Sequence, residues 1–467
     1  MRPRTLSRCA LPLGLVGLLC AACTTAPQKP VAIETPPSWE TPSSNVAADA
    51  LTSDWFRAFG SDELDALIAL AYQNSLDLQA ADARLRQADA RARAAGGAIL
   101  PQVDFGANAT SYSGHSANGS ASETDWAALV SASYEIDFWG GKRAGRDSAA
   151  AVRKASAADR DTVALSTVTG VVNTYFQIVT IRERATIVQS AMDNARALLQ
   201  VVEARNSAGL ASPTEVAQQR AVLAAAQIKI VELQQQESEA QAALALLVGK
   251  MPGTLAIKAQ QLSDFSAPRV SPGLPSALLS RRPDVSAAEE MLRAAHADLI
   301  QARAALFPAI TLTGSGGLQN PAVNAAVVTL AGVGPSLTVG AGLVQTIFDG
   351  GRLRAARDEA GAREQEMLVH YRSAALSALW DVQTALSAIE HLDRQAESQK
   401  ESLAQNELAL AGAQARYREG STDFLVVLDA QRALLSAREQ MTLYRLARLQ
   451  ASVGLCKALG GGWVQAN

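Results

Sequence analysis

The chain has 467 residues, of which 48% are hydrophobic but only 5% aromatic, and a formal net charge of −3. Length alone gives a prior of about three domains. The near-neutral balance, with no basic stripe, argues against a nucleic-acid partner, and the four histidines (His115, His296, His370 and His391) stand too far apart for a metal site.

At the N-terminus, Arg2, Arg4 and Arg8 precede an apolar run from Cys9 to Leu19, followed by Ala21-Ala22 and Cys23. A basic start, a short apolar run and small residues before a cleavage point make a secretory signal. The run is too short to span a bilayer. A Cys directly after the small pair suggests a lipobox, with residues 1–22 removed and Cys23 lipidated. Cys20 stands where Leu is usual, and a plain signal with an incidental Cys is the alternative. Residues 23–50, rich in Thr, Pro, Gln and Ser, read as a lipid-anchored tether with too little apolar surface to order itself. Only Cys456 then remains in the mature chain, so no disulfide framework is expected. Near the end of an apolar helix, it reads as a buried small hydrophobe.

From here the chain carries itself twice. Leu85 and Pro101 return as Leu292 and Pro308, Phe138-Trp139-Gly140-Gly141 as Phe348-Asp349-Gly350-Gly351, and Gln219-Arg220-Ala221 as Gln431-Arg432-Ala433, at spacings of 207 to 212 residues. Two repeats follow, 51–265 and 266–467. Each reads as a leading helix, a β-hairpin (about 101–137 and about 308–347) and a long helical hairpin, and the halves complete one body together.

The hairpin segments alternate. Val103, Phe105 and Ala107 oppose Gln102, Asp104 and Asn108; Val130, Ala132 and Ile136 oppose Ser131, Ser133 and Glu135. The polar segment Ser113–Asp125 between these two strands reads as a loop, and the second half repeats the pattern at Ile310–Thr313 and Leu337–Leu343. Strands of about ten residues with this dyad period suit a tilted transmembrane β-strand. A soluble hairpin packed on helices is the alternative. If the strands span a membrane, four cannot close a barrel, and several copies must pool theirs. Glu135 and Asp104 would face a wet lumen, with Val103, Phe105, Val130 and Ile136 toward lipid. Glu135 serves either ion selectivity or as an interfacial charge at a strand end.

The stretches Lys142–Ala208 and Arg352–Glu419 lack Pro and nearly lack Gly, and read as helices ~100 Å long. Gly209 and Gly420 close them, and Ser212-Pro213 and Ser421-Thr422-Asp423 restart the chain as helix caps. No phosphate loop, nucleophile elbow or Cys/His pair occurs, so neither an enzyme nor a cofactor is expected. Nothing couples to an energy source, which makes any conduit passive.

Four groups of residues carry a resemblance: Arg281-Arg282-Pro283-Asp284-Val285, Ala302-Arg303-Ala304-Ala305-Leu306-Phe307-Pro308, Tyr134-Glu135-Ile136-Asp137-Phe138-Trp139-Gly140 and Ala458-Leu459-Gly460-Gly461-Gly462-Trp463. With them the chain resembles the TolC-type outer-membrane efflux channels, in their NodT-like lipoprotein branch, from about Trp55 to Trp463. The resemblance implies a mainly α fold: long antiparallel coiled-coil helices forming a periplasmic tunnel, plus four strands per protomer in a trimeric twelve-stranded barrel. It implies a homotrimer in the outer membrane, docked on a periplasmic adaptor and a proton-driven inner-membrane pump of the RND type, and exporting small solutes. The exit duct of a type I protein secretion system, and a lipid-anchored coiled-coil spacer without a pore, stay open as alternatives. The spacer explains the helices but neither hairpin.

In the last helical hairpin Leu425, Asp429 and Arg432 fall at i, i+4 and i+7, on one helix face. The resemblance implies that this face lines the periplasmic aperture. Three Leu425 would then form an apolar ring and three Asp429 an acidic one, with Arg432 tying each Asp429 to its own or a neighbouring helix. The alternative is a surface Asp429–Arg432 ion pair, with Leu425 in ordinary hairpin packing.

Overall fold

The computed structural model describes residues 33–40, 51–116, 119–268, 270–319 and 334–463. Cys23 and the expected signal segment lie outside the described residues.

Helices α1 (Asp62–Asn74) and α2 (Leu76–Gly97) lead into strands β1 (Gln102–Ser116) and β2 (Gly119–Ile136). The first long pair follows, α3 (Gly141–Ser207) and α4 (Pro213–Leu247). The second repeat supplies a short turn α5 (Pro275–Leu278), then α6 (Pro283–Ala304), β3 (Ala309–Gln319), β4 (Gly334–Val344), α7 (Arg352–Arg418) and α8 (Phe424–Ala458). Both α3 and α7 run 67 residues without a break, close to the bounds the Gly positions set. Gly209 and Gly420 both take φ of 75°, the left-handed conformation that ends a helix without a Cβ clash. Ser212 forms a reciprocal capping box with Glu215, and Asp423 caps α8 by accepting from the Leu425 amide at 2.7 Å.

The duplication is visible in the backbone. After α4, Gly249 (φ 65°) lies so close to Asn74 that a Cβ would sit 2.2 Å from its carbonyl oxygen. After α8, Gly460 (φ 86°) approaches Arg281 in the same way, at 1.9 Å. Each repeat thus ends its second long helix on a glycine pressed against the end of its own leading segment. That is why the Gly460 group and the Arg281-Arg282 group occur together.

The chain forms two compact units, and each draws on both repeats. One takes Arg86–Ala155 and Ala288–Tyr371; the other takes Ile33–Leu85, Ser156–Ala287 and Arg372–Asn467. The second unit holds the main core, where Phe59 packs edge-on against Phe176 at 5.1 Å and Phe265 covers Tyr175 and Phe176. Cys456 is fully buried and free, as expected, and burial pushes its thiol up to about 12. An 18-residue window of α3 is apolar enough to cross a membrane, but 67% of it is buried, which marks it as core.

The first unit holds one antiparallel sheet in the order β1-β2-β3-β4. Its first hairpin corrects the ten-residue expectation: β1 and β2 run 15 and 18 residues. The polar stretch read as a loop carries ladder pairs as far as Ser116↔Gly119. Serine and threonine continue a strand readily when the facing strand supplies the partners.

Candidate functional site

Two regions position chemistry: the sheet and the tip of the long hairpins.

In the sheet, register puts Phe105 opposite Val130, Val130 opposite Gly316, and Gly316 opposite Leu337. Because opposed residues share a face, Val103, Phe105, Ala132, Ile136, Ile310, Leu312, Val339 and Leu343 form one apolar surface across all four strands. Asp104, Ser131, Ser133, Thr311, Thr313 and Thr338 form the other. The apolar surface is bare: Phe105 is 72%, Leu337 83% and Val339 80% exposed. Soluble monomers rarely display a contiguous apolar face of this kind, so the soluble-hairpin reading fails. Among the described residues β1 and β4 each pair on one side only, leaving two open edges.

Where the sheet meets the helices, the Trp139 ring stacks on Phe307 at 4.6 Å and its indole donates to the Pro308 carbonyl at 2.8 Å. This joins two of the sequence groups that carry the resemblance. Glu135, left open between two roles, pairs with Lys142 at 3.0 Å, the behaviour of a charge at a strand end.

At the tip, Leu425 is 52% exposed, and Asp429 and Arg432 are exposed on the same face of α8. The expected tie within one helix does not form: neither Asp429 nor Arg432 has an ionic or hydrogen-bond partner among the described residues. An i,i+3 pair on a solvated face has little to hold it. The packing alternative for Leu425 fails too, since the tip core is built from its neighbours Phe424, Val427 and Leu428 with Leu198, Val202 and Tyr417.

A second constellation at the tip escaped the sequence reading. Tyr417 of α7 donates its hydroxyl hydrogen to Glu215 Oε2 of α4 at 2.6 Å. Arg205, at the end of α3, lies 4.8 Å over the Tyr417 ring, and its Nη1 donates to the Tyr417 and Arg418 carbonyls at 3.1 and 3.2 Å. The guanidinium therefore covers the free carbonyls that end α7, the end of the helix dipole that attracts a cation. Burial alone would raise the Glu215 carboxyl. The hydrogen bonds from Tyr417 and Ser212 and the Arg205 charge outweigh it and hold the carboxyl below its usual range. Burial, with Glu215 beside it, pushes the Tyr417 phenol up to about 12. One signal pointed here: Tyr417 stands where the first repeat has Asn206, which only closes its own turn by donating to Ala211 at 2.7 Å.

A family model for the outer membrane efflux protein matches residues 67–250 and 274–461. The chain belongs to that family. Among curated relatives of this efflux protein, it is 42% identical to the pyoverdine export outer membrane protein OpmQ of Pseudomonas putida over 466 residues, 97% of each chain. The cation efflux system protein CusC of Escherichia coli K12 is 28% identical, over 98% of this chain and all of that one. Among solved structures, the outer-membrane channel OprN superposes with a TM-score of 0.86 at 27% identity, covering 94% of this chain and 100% of OprN. The Neisseria gonorrhoeae channel MtrE in its open state gives 0.81 at 28% identity, covering 92% and 96%. This efflux protein is thus an outer-membrane channel with the TolC-type fold of long helices and barrel strands.

Proposed function

We propose that three copies of this efflux protein pool their strands into a twelve-stranded barrel and serve as the passive outer-membrane duct of a tripartite exporter. A periplasmic adaptor and an RND-type inner-membrane pump deliver the solute. The single observation that carries this reading is the four-stranded sheet with one bare apolar face, one polar face and two open edges. In lipid an open edge leaves backbone groups unpaired, so the edges must close on one another. Cys23, acylated, gives a second anchor at the periplasmic leaflet. The relatives at 42% and 41% identity, both named for pyoverdine export, support a pyoverdine-like cargo over a metal cation.

In this reading Leu425, Asp429 and Arg432 line the narrowest periplasmic point. Their exposure, and the lack of an ionic partner for Asp429 and Arg432 among the described residues, leave them free for contacts between copies. The repeats 51–265 and 266–467 each supply one hairpin wall. Single-channel recording in planar bilayers tests this. Asp429→Ala with Arg432→Ala should raise conductance without dissociating the trimer. Unchanged conductance there, and after adding Leu425→Ser, would remove these residues from the constriction.

A further inference from the structure

Within one chain the first repeat meets the second at a built joint in the first compact unit, where the start of α3 packs on the end of α6. A Cβ on Gly141 would stand 2.9 Å from that of Ala304, and one on Gly145 3.1 Å from the Gln301 amide oxygen. Trp139 stacks on Phe307 beside them. Asp137, whose side chain is 11% exposed, caps α3 by accepting from the Lys142 and Arg143 amides, each at 2.9 Å.

Each of these positions has a counterpart in the other repeat. Helix α2 matches α6 at a spacing of 207 residues, and the start of α7 matches that of α3 at 210. Ala94, Gly97 and Leu100 therefore stand where Gln301, Ala304 and Phe307 stand. Ile347, Phe348, Gly351 and Ala355 stand where Asp137, Phe138, Gly141 and Gly145 stand. The counterpart set is bare. No other part of the described chain lies within 4 Å of a Cβ built on Gly97 or Gly351, and Leu100 is 67%, Ile347 90% and Phe348 89% exposed. The cap has moved as well. Asp349, in the place of Trp139, accepts from the Gly351 and Leu353 amides, both at 2.9 Å, which releases position 347 to an apolar residue.

We propose that α7 of one copy packs on α2 of the next, repeating between copies the joint that α3 and α6 make within one. The inference rests on the three-copy reading above and adds the residues that meet. Gly351 and Ala355 face Gly97 and Ala94 of the next copy, whose Leu100 covers Ile347 and Phe348. The occupied joint identifies the occupant, because equivalent segments already find each other once inside the chain. Small residues let two helix backbones approach closely, a clearance that lipid does not need. The joint also runs on from the sheet: Ile347 follows the end of β4, Leu100 precedes β1, and those two strands carry the open edges. Each chain offers one face and receives the other, the head-to-tail arrangement that closes a ring. Asp349 can neither stack nor donate as Trp139 does, so the joint between copies lacks the aromatic lock of the joint within one.

The test uses the full-length protein in a non-ionic detergent. Ala94→Cys with Ala355→Cys, treated with a short bis-methanethiosulfonate, should give covalently linked trimers on denaturing gels. Either cysteine alone should give none, and chains carrying one co-expressed with chains carrying the other should give linked dimers only. Gly97→Leu finds open space in a lone chain but meets α7 of the next copy. Light scattering should therefore shift from three chains to one while the helical circular dichroism is kept; should that signal be lost, the cysteine pair decides. In a wild type that is trimeric, the absence of links, or a folded Gly97→Leu protein that stays trimeric, would remove this joint and leave the three-copy reading standing. A link formed inside one chain would overturn it too, by placing α2 against α7 of the same copy. Ile347→Cys modified by a lipid-soluble maleimide as fast as Val339→Cys would mean that lipid covers this face instead. A wild type that is a single chain would remove the joint together with the three-copy reading.

Discussion

The hydroxyl of Tyr417 and the carboxylate of Glu215 meet at 2.6 Å although 202 residues separate them in the chain. They join the two helical hairpins at their tips, and Arg205 closes the clasp from the side. A hydrogen bond to a charged acceptor contributes about 1.5–3 kcal/mol. Tyr417→Phe removes it while keeping the ring that packs on Phe424 at 5.1 Å. The variant should lower stability by about 1–2 kcal/mol and raise the open fraction in single-channel records. An unchanged open fraction would show that the clasp holds the tip together without restraining the aperture.

The same clasp predicts an acid response. The folded Glu215 carboxyl lies below its ordinary value of 4.5, so the clasp contribution is fully present above that value. It is lost as pH falls through the lowered folded pKa. Tyr417, pushed up to about 12, stays a donor throughout the neutral range. Melting temperature of the wild type should therefore drop more steeply below about pH 4.5 than that of Glu215→Gln. Parallel curves would rule out this linkage.

Much of this architecture was legible from local chemistry. Helix ends at Gly209 and Gly420 follow from backbone sterics, and the two faces of the sheet follow from alternation at Val103–Asp104 and Val130–Ser131. The length of β1 and β2 was not legible, because Ser113–Asp125 has the composition of a loop and is drawn into the ladder only by its facing strand. The Tyr417–Glu215 clasp was hidden because nothing local marks a Tyr as the partner of a Glu in another repeat. The face of Leu425, Asp429 and Arg432 came from helical spacing together with resemblance. Spacing alone also allowed the Asp429–Arg432 pair, which does not form within the chain.

Arg282 explains why its surrounding residues occur together. Its side chain is 10% exposed; it reaches Asp284 at 2.6 Å and Asp381 at 2.8 Å, and donates to the Ala458 carbonyl at 3.2 Å. Lysine cannot reproduce that fork. Arg282→Ala leaves two carboxylates uncompensated and should destabilise by about 3 kcal/mol, read as a lowered melting temperature. Gly460→Ala should be worse, since its Cβ would stand 1.9 Å from the Arg281 oxygen at a φ of 86°. Wild-type thermal resistance in both variants would refute this account of the α8 terminus.

Acylation at Cys23 is expected to be redundant with the barrel for anchoring. Each acyl chain contributes about 0.8 kcal/mol per buried methylene, but an inserted barrel already holds the protein in the membrane. Cys23→Ala should change the mass of the mature N-terminus while the protein still fractionates with the outer membrane. An unmodified wild-type N-terminus by mass spectrometry would refute lipidation.

The sheet makes the most position-specific prediction. Phe105 lies on the apolar face and Asp104 on the polar one, adjacent in sequence but on opposite sides of the strand. An arginine on the lipid side of a barrel costs roughly 2–4 kcal/mol at mid-membrane, whereas a lumenal substitution is tolerated and alters selectivity instead. Phe105→Arg should therefore reduce folding into bilayers by about that amount. Asp104→Arg should fold normally and shift ion selectivity toward anions. Equal folding yields for the two variants would mean that Phe105 does not face lipid. A selectivity unchanged in Asp104→Arg would take Asp104 out of the lumen.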